Sequence, residues 1–307
     1  MYLTQCLRQN PNPSNRMKLF LSLTTLAVYS LMSLAATAAD LKIVAAENFY
    51  GGVAQQIAGS DATVTSILTN PNQDPHEFTS NAATAKSVAD ADIVIYNGLS
   101  YDPWMEKLLA SGGKPNRVVI KVADLIEAKE GDNPHIWYDI QTMSTLTGKL
   151  FEEFSKLDPV HADIYQKRQI AFDASLKPLI DKIMQIRATM RGDEVTATEP
   201  VFGYMATALG FKMLNYDFQV KIMNDAEPTA DQTAAFEKSL TSKRALILFY
   251  NSQVNDPITD RLQKIAQKSG IPIVGVTETQ PPNQKSYVDW MIYQLDQVQV
   301  ALAYKKP

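Results

Sequence analysis

One cysteine, three histidines and three tryptophans are all that this 307-residue chain holds of those residue types. The lone cysteine, Cys6, stands ahead of an apolar run near the start, so no disulfide framework and no thiolate metal site is expected. An excess of positive charge is also missing: acidic residues outnumber basic ones 33 to 29. That balance argues against nucleic acid or anionic lipid as a partner. Short-period repeats and low-complexity stretches do not occur. What remains is ordinary globular composition, 45% hydrophobic and 20% charged, in a chain long enough for two lobes.

The one long apolar run, Leu19–Leu34, has Arg8, Arg16 and Lys18 before it and Ala35-Ala36-Thr37-Ala38-Ala39-Asp40 after it. A basic start, an apolar middle and a small-residue end are the parts of a secretory signal peptide. Residues 1–38 are read as this leader, cut after Ala38, with Met17 as an alternative start. The run is short for a membrane anchor and ends in small residues. Cys6 would leave with the leader, and no cysteine stands at the cleavage site to carry a lipid. The mature protein is therefore expected in the periplasm, soluble and not lipid-anchored. Losing three basic residues takes its net charge to about −7, which suits a cation ligand.

From Leu41 onward, β-rich runs alternate with amphipathic segments. Strands are expected at Leu41–Ala46, Ala62–Leu68, Asp92–Tyr96 and Arg117–Val122. Helices fall near Gly51–Ala58, Ala82–Ala89 (capped by Ser80), Pro103–Ala110 and Asp139–Leu157. A second lobe repeats the rhythm. Its strands are Glu194–Thr198, Lys212–Tyr216, Ala245–Tyr250 and Ile271–Thr277, and its helices lie near Val201–Leu209, Ala230–Thr241, Pro257–Ser269 and Ser286–Ala303. The fold class is α/β, two lobes each with a mostly parallel sheet flanked by helices.

Between them, Pro159 to about Met190 reads as a long spine helix capped by Asp158. Phe172, Leu176, Leu179, Ile180, Ile183, Ile186 and Met190 recur at three- and four-residue spacing. Pro178 should bend it or divide it in two. The expected units are a leader at 1–38, a first lobe at 39–157, a spine at 158–191 and a second lobe at 192–307.

Two of the three histidines occur in matched phrases, Asp74-Pro75-His76 and Asn133-Pro134-His135, each in a loop after a strand. Proline stiffens such a loop, and neutral imidazole is the commonest metal ligand. In open parallel sheets the binding crevice lies beyond the carboxyl ends of the strands. At equivalent places in the second lobe stand two carboxylates, Glu199 and Glu278. Taken singly, Glu199 reads equally as a helix cap and Glu278 as an exposed loop acid. His161 reads as a solvated helix residue, Glu227 as a helix-entry or hinge contact and Trp104 as core. Asp74, Trp137 and Asn251 read as supports of the site or as packing.

These phrases resemble the manganese/zinc solute-binding proteins of bacterial ABC importers, over nearly the whole mature chain. Asp74-Pro75-His76-Glu77-Phe78 and Asn133-Pro134-His135-Ile136-Trp137-Tyr138-Asp139 resemble the family's first two ligand motifs. Asn97-Gly98-Leu99 and Pro103-Trp104-Met105-Glu106-Lys107-Leu108-Leu109 resemble the strand end and helix between them. Glu199, just before Phe202-Gly203-Tyr204, stands where zinc members carry histidine and many manganese members glutamate. Glu278 stands where the family usually has aspartate. The histidine-rich loop frequent in zinc importers has no counterpart in 124–132.

The resemblance implies a metal site of His76, His135, Glu199 and Glu278, with no catalytic and no cofactor-binding residue. The expected role is capture of a divalent transition metal as cargo for an ABC membrane permease, by a monomer. Two carboxylates without thiolate or third histidine favour manganese over zinc, although most N/O sites bind zinc more tightly. The rival reading is a mononuclear metal-dependent hydrolase; four protein ligands and the lack of a base motif speak against it. A binder of organic solutes would need an apolar pocket instead.

Overall fold

The computed structural model describes residues 41–71, 73, 78–254 and 256–304, which fall in one compact unit. The expected leader, Cys6, Asp74 and His76 lie outside the described residues.

The first lobe runs β1 (Leu41–Glu47), α1 (Asn48–Ala58), β2 (Ala62–Leu68), α2 (Ala82–Asp90), β3 (Ile93–Tyr96), α3 (Pro103–Ala110), β4 (Val118–Lys121), α4 (Val122–Leu125) and α5 (Ile140–Leu157). The second contains β5 (Glu194–Ala197), α8 (Gly203–Ala208), β6 (Lys212–Leu214), α9 (Tyr216–Met223), α10 (Ala230–Thr241), β7 (Leu248–Asn251), α11 (Pro257–Ser269), β8 (Ile273–Val276) and α12 (Tyr287–Tyr304). The sheets are parallel throughout and share one strand order, β2-β1-β3-β4 and β6-β5-β7-β8. Each order reverses direction between its two central strands, the place where open α/β sheets leave a crevice.

Local chemistry sets most helix ends. α11 starts at Pro257, with the Asp256 carboxylate accepting from the backbone of Ile258 and Thr259, and ends at Gly270 in the left-handed region. Thr229 and Gln232 cap each other's backbone at the head of α10. The cap of α2 is Asn81, whose Oδ1 accepts from Ala83 and Thr84, and not the expected Ser80. The strand expected to reach Tyr216 stops at Leu214, because Asn215 turns left-handed (φ 58°) and launches α9, which sequence pattern did not reveal.

The connecting segment is helical throughout but divided. A 3₁₀ turn at Pro159–His161 precedes α6 (Ala162–Ser175) and α7 (Lys177–Arg187), with Leu176 between them and Pro178 in the first turn of α7. Proline is cheap there, so the chain breaks just ahead of it and does not kink around it. Asp158 does not cap this segment through its side chain. Its carboxylate lies 2.6 Å from His161 Nδ1 and accepts from the Tyr165 hydroxyl at 2.8 Å, so His161 is tethered and not merely solvated.

The lobes share a core. Phe49 packs on Trp137 and Trp290, Trp290 on Tyr138, Tyr138 on Phe202, and Phe202 stacks on Phe249 at 4.5 Å. All six rings are at most 1% exposed. This aromatic column runs from α1 through the 3₁₀ turn Ile136–Tyr138 into the second lobe. α12 adds to the tie by packing on α1 as well as on α7 and β8. Burial of rings this large dominates core energetics, so separating the lobes completely would be costly. Trp104 is core, as expected, in a satellite cluster with Phe78 and Met105.

Candidate metal centre

His135 enters the seam from the first lobe, directly before the 3₁₀ turn Ile136–Tyr138. Its ring is fully buried and edge-on to Trp137 and Tyr101. Nδ1 lies 2.7 Å from Asn133 Oδ1, which orients the ring. The loop is anchored from below by Asn97, whose Nδ2 donates to the Pro134 carbonyl at 2.9 Å. Asn97 Oδ1 in turn accepts from the Tyr50 hydroxyl at 2.7 Å.

Residues 98–100 all have positive φ, an unusual run for Leu99 and Ser100. The Asp102 carboxylate staples it by accepting from the backbone of Asn97 at 2.6 Å and Gly98 at 2.9 Å. Beside Asp102 lies Glu47, at the carboxyl end of β1, and both are buried. Burial first, then the Asp102 charge, pushes the Glu47 carboxyl well above the usual range. Burial also pushes Asp102 up, to about 6, against the lowering effect of its two backbone donors. Both acids therefore hold their protons more tightly than exposed carboxyls do.

Glu199 follows β5 in extended conformation, ahead of the 3₁₀ turn Pro200–Phe202. It makes no side-chain cap to that turn, so the capping alternative fails. Glu278 lies two residues past β8 and is fully buried, which removes the exposed-acid alternative. Its main-chain N–H donates to Gln253 Oε1 at 2.5 Å, and the next residue's at 3.0 Å. Asn251, at the end of β7, joins the two carboxylates: its Nδ2 donates to Glu278 Oε1 at 2.5 Å and to Glu199 Oε2 at 3.3 Å. The other oxygen of Glu278 faces His135 Nε2 across the seam at 3.5 Å.

Three of the four expected residues thus meet in one buried place, while His76 lies outside the described residues. Among the described residues, no group of three or more His, Cys, Asp or Glu is drawn tightly enough to form a metal-holding cluster by itself. Glu199 is joined to Glu278 through Asn251. Glu227 is exposed ahead of α10, away from this arrangement. Sequence reasoning assigned no role to Asn133, Asn97, Gln253 or Asn48, whose amide donates to the Gln280 carbonyl at 2.7 Å and accepts from the Gln280 N–H at 3.1 Å. Only Asn133 carried a local signal, since asparagine two residues before a histidine can accept that residue's backbone N–H. The others act over 25 to 232 positions of chain separation.

The sequence profile of the zinc-uptake complex component A, periplasmic, matches residues 43–301. The chain is 26% identical over 285 residues to the manganese ABC transporter substrate-binding lipoprotein PsaA of Streptococcus pneumoniae serotype 4, covering 86% of this chain and 89% of that one. It is 25% identical over 286 residues to the iron ABC transporter substrate-binding lipoprotein MtsA of Streptococcus pyogenes serotype M1, covering 86% and 89%. Among solved structures, the periplasmic zinc binding protein TroA of Treponema pallidum superposes with a TM-score of 0.72 at 20% identity, over 85% of this chain and 98% of that one. That last likeness supports the two-lobed fold.

One expectation is overturned by these relatives. PsaA and MtsA are both named lipoproteins, against the reading of a protein without a lipid anchor. That reading rested on where Cys6 stands relative to an apolar run, and attachment depends on processing of a segment outside the described residues. The extracytoplasmic location stands.

Proposed function

Because the chain belongs to the family of the periplasmic zinc-uptake complex component A, we propose that it is the substrate-binding component of a metal ABC importer. It is a binding component and not an enzyme, and nothing among its relatives favours the hydrolase reading. His135, Glu199 and Glu278, joined by His76, hold a divalent transition metal as cargo. The observation that carries this is the pairing of His135 Nε2 and Glu278 Oε2, two fully buried groups 3.5 Å apart on opposite sides of the seam. Two carboxylates would leave a bound divalent ion formally neutral, which lowers the cost of burying it.

The finer reading is manganese in preference to zinc, supported by two hard oxygen donors and the lack of any thiolate or third histidine. Relatives named for manganese and for iron keep the question a chemical one. The protein acts as a monomer toward its permease, since one chain supplies the whole donor set. A leader in 1–38, lobes at 39–157 and 192–307 and a helical spine at 158–191 complete the reading.

Its test is the metal content of protein taken from its own periplasm, with anomalous X-ray scattering at the manganese, iron and zinc edges. One equivalent of manganese at these residues is the expected result. Zinc or iron there would leave the importer role and reject the preference; metal bound elsewhere would reject the site.

A further inference from the structure

The Asn133 side chain touches a candidate ligand of the first lobe and the backbone beside a candidate ligand of the second. Its Oδ1 lies 2.7 Å from His135 Nδ1 and accepts the His135 main-chain N–H at 3.2 Å. Its Nδ2 donates to the Pro200 carbonyl, one residue past Glu199, at 2.7 Å. The second lobe is shaped to receive this amide. The Tyr204 hydroxyl donates to the Asn133 main-chain oxygen at 2.9 Å. At Gly203 an added Cβ would stand only 2.8 Å from Asn133 Nδ2, so a larger residue would push the amide away.

The logic of donors and acceptors then runs in one direction. A carbonyl oxygen only accepts, so Pro200 requires the NH₂ end of the amide. The oxygen end is left facing His135, and a ring nitrogen that faces an amide oxygen must carry the proton. Nδ1 is therefore protonated, which leaves Nε2, 3.5 Å from Glu278 Oε2, as the nitrogen able to offer a lone pair to a cation. That tautomer is the one able to ligate into the seam.

We propose that Asn133 is a positioning residue that couples contact between the lobes to the ligating tautomer of His135. With the lobes together, Pro200 fixes the amide and the amide fixes the imidazole. When the second lobe draws back, the amide loses its anchor on that lobe and keeps only its bonds to His135, 2.7 Å to Nδ1 and 3.2 Å to the main-chain N–H. Held from one side only, the amide and the imidazole it orients pivot together, Nε2 is less firmly aimed into the seam, and the hold on cargo weakens. This rests on the reading of His135 as a metal ligand, and it supplies a release step that separation of the lobes would trigger.

The test uses the full chain labelled with ¹⁵N-histidine, whose three histidines give few signals. Long-range ¹H–¹⁵N spectra of the metal-free protein report the tautomer, and chelator competition with manganese and zinc reports affinity and release rate. Wild type is expected to show the Nδ1–H form of His135. Asn133→Ala should mix the tautomers and bind about 10–100-fold more weakly. Asn133→Asp keeps an acceptor for Nδ1 but sets an oxygen against the Pro200 carbonyl; it should keep the tautomer and release metal faster. An Asn133→Ala protein with wild-type tautomer and affinity overturns the coupling, provided His135→Ala abolishes binding. Undiminished binding by His135→Ala overturns the ligand reading underneath instead.

Discussion

Asn251 donates to Glu278 Oε1 at 2.5 Å, and the same nitrogen reaches Glu199 Oε2 at 3.3 Å. One neutral amide thus holds two buried carboxylates together by one oxygen of each. Asn251→Ala should weaken metal binding about 10–100-fold, the usual cost of losing a partner that orients a ligand. It should also destabilise the metal-free protein by about 1–3 kcal/mol, because two buried acceptors lose their donor. Added metal would recover part of that loss, so thermal melts with and without manganese separate the two effects.

Metal itself should stabilise the fold. A cargo bound only by the folded chain contributes about 2.7 kcal/mol at a free concentration a hundred times its dissociation constant. His76→Ala and Glu278→Gln should lose that gain while their metal-free melting stays close to wild type. Differential scanning fluorimetry across a manganese titration reads it, and a metal-dependent rise in Tm for either variant equal to wild type would reject that residue as a ligand.

The Glu47–Asp102 pair gives the protein a pH dependence of definite sign. Both carboxyls titrate higher in the folded chain than in the unfolded one. Between the unfolded value near 4 and the folded value of about 6 for Asp102, the folded state holds more protons, so stability falls as pH rises. The contribution is complete below the unfolded values and is lost as pH climbs through the folded ones. Glu47→Gln removes one of the two raised carboxyls and its charge beside Asp102. In chelator, wild type should lose Tm relative to Glu47→Gln between pH 4.5 and 7.5; parallel curves would reject the raised titration of the pair.

Removing a ring from the column that joins the lobes should be expensive. Phe49 is fully buried against Tyr50, Trp137 and Trp290. Phe49→Ala should cost about 3–5 kcal/mol, measured by urea denaturation. Because the column is shared, tryptophan fluorescence and far-UV circular dichroism should still report a single transition.

The cap of α2 offers a small, sharp test. Asn81→Ala should cost about 1 kcal/mol, since the Ala83 and Thr84 backbone N–H groups lose their acceptor. Ser80→Ala should be neutral. The reverse order would place the cap where the residue pattern first suggested it.

Where local chemistry decides structure, the residues were readable in order. Pro103 and Ala110, Ala230 and Thr241, and Pro257 and Ser269 bound their helices as periodicity and caps require, and Ala62–Leu68 is a strand end to end. The errors are equally local in origin. Asn215 shortened a strand because a left-handed turn leaves no mark in hydrophobic alternation. Two polar residues side by side, Ser80 and Asn81, offered two caps, and backbone geometry chose the second.

The candidate centre divides in the same way. Sequence alone supplied the candidate donors: two histidines that each follow a proline, and two carboxylates that follow strands. Such features are written within a few neighbouring residues, where steric and bonding preferences act. Only the tertiary structure decided that the Glu199 and Glu278 side chains meet on Asn251, and that one face of the Asn133 amide belongs to each lobe. Those relationships join positions up to 79 residues apart, counted from Glu199 to Glu278, and hydrogen bonds of about 3 Å form between them only once two sheets and a shared aromatic core have closed the distance.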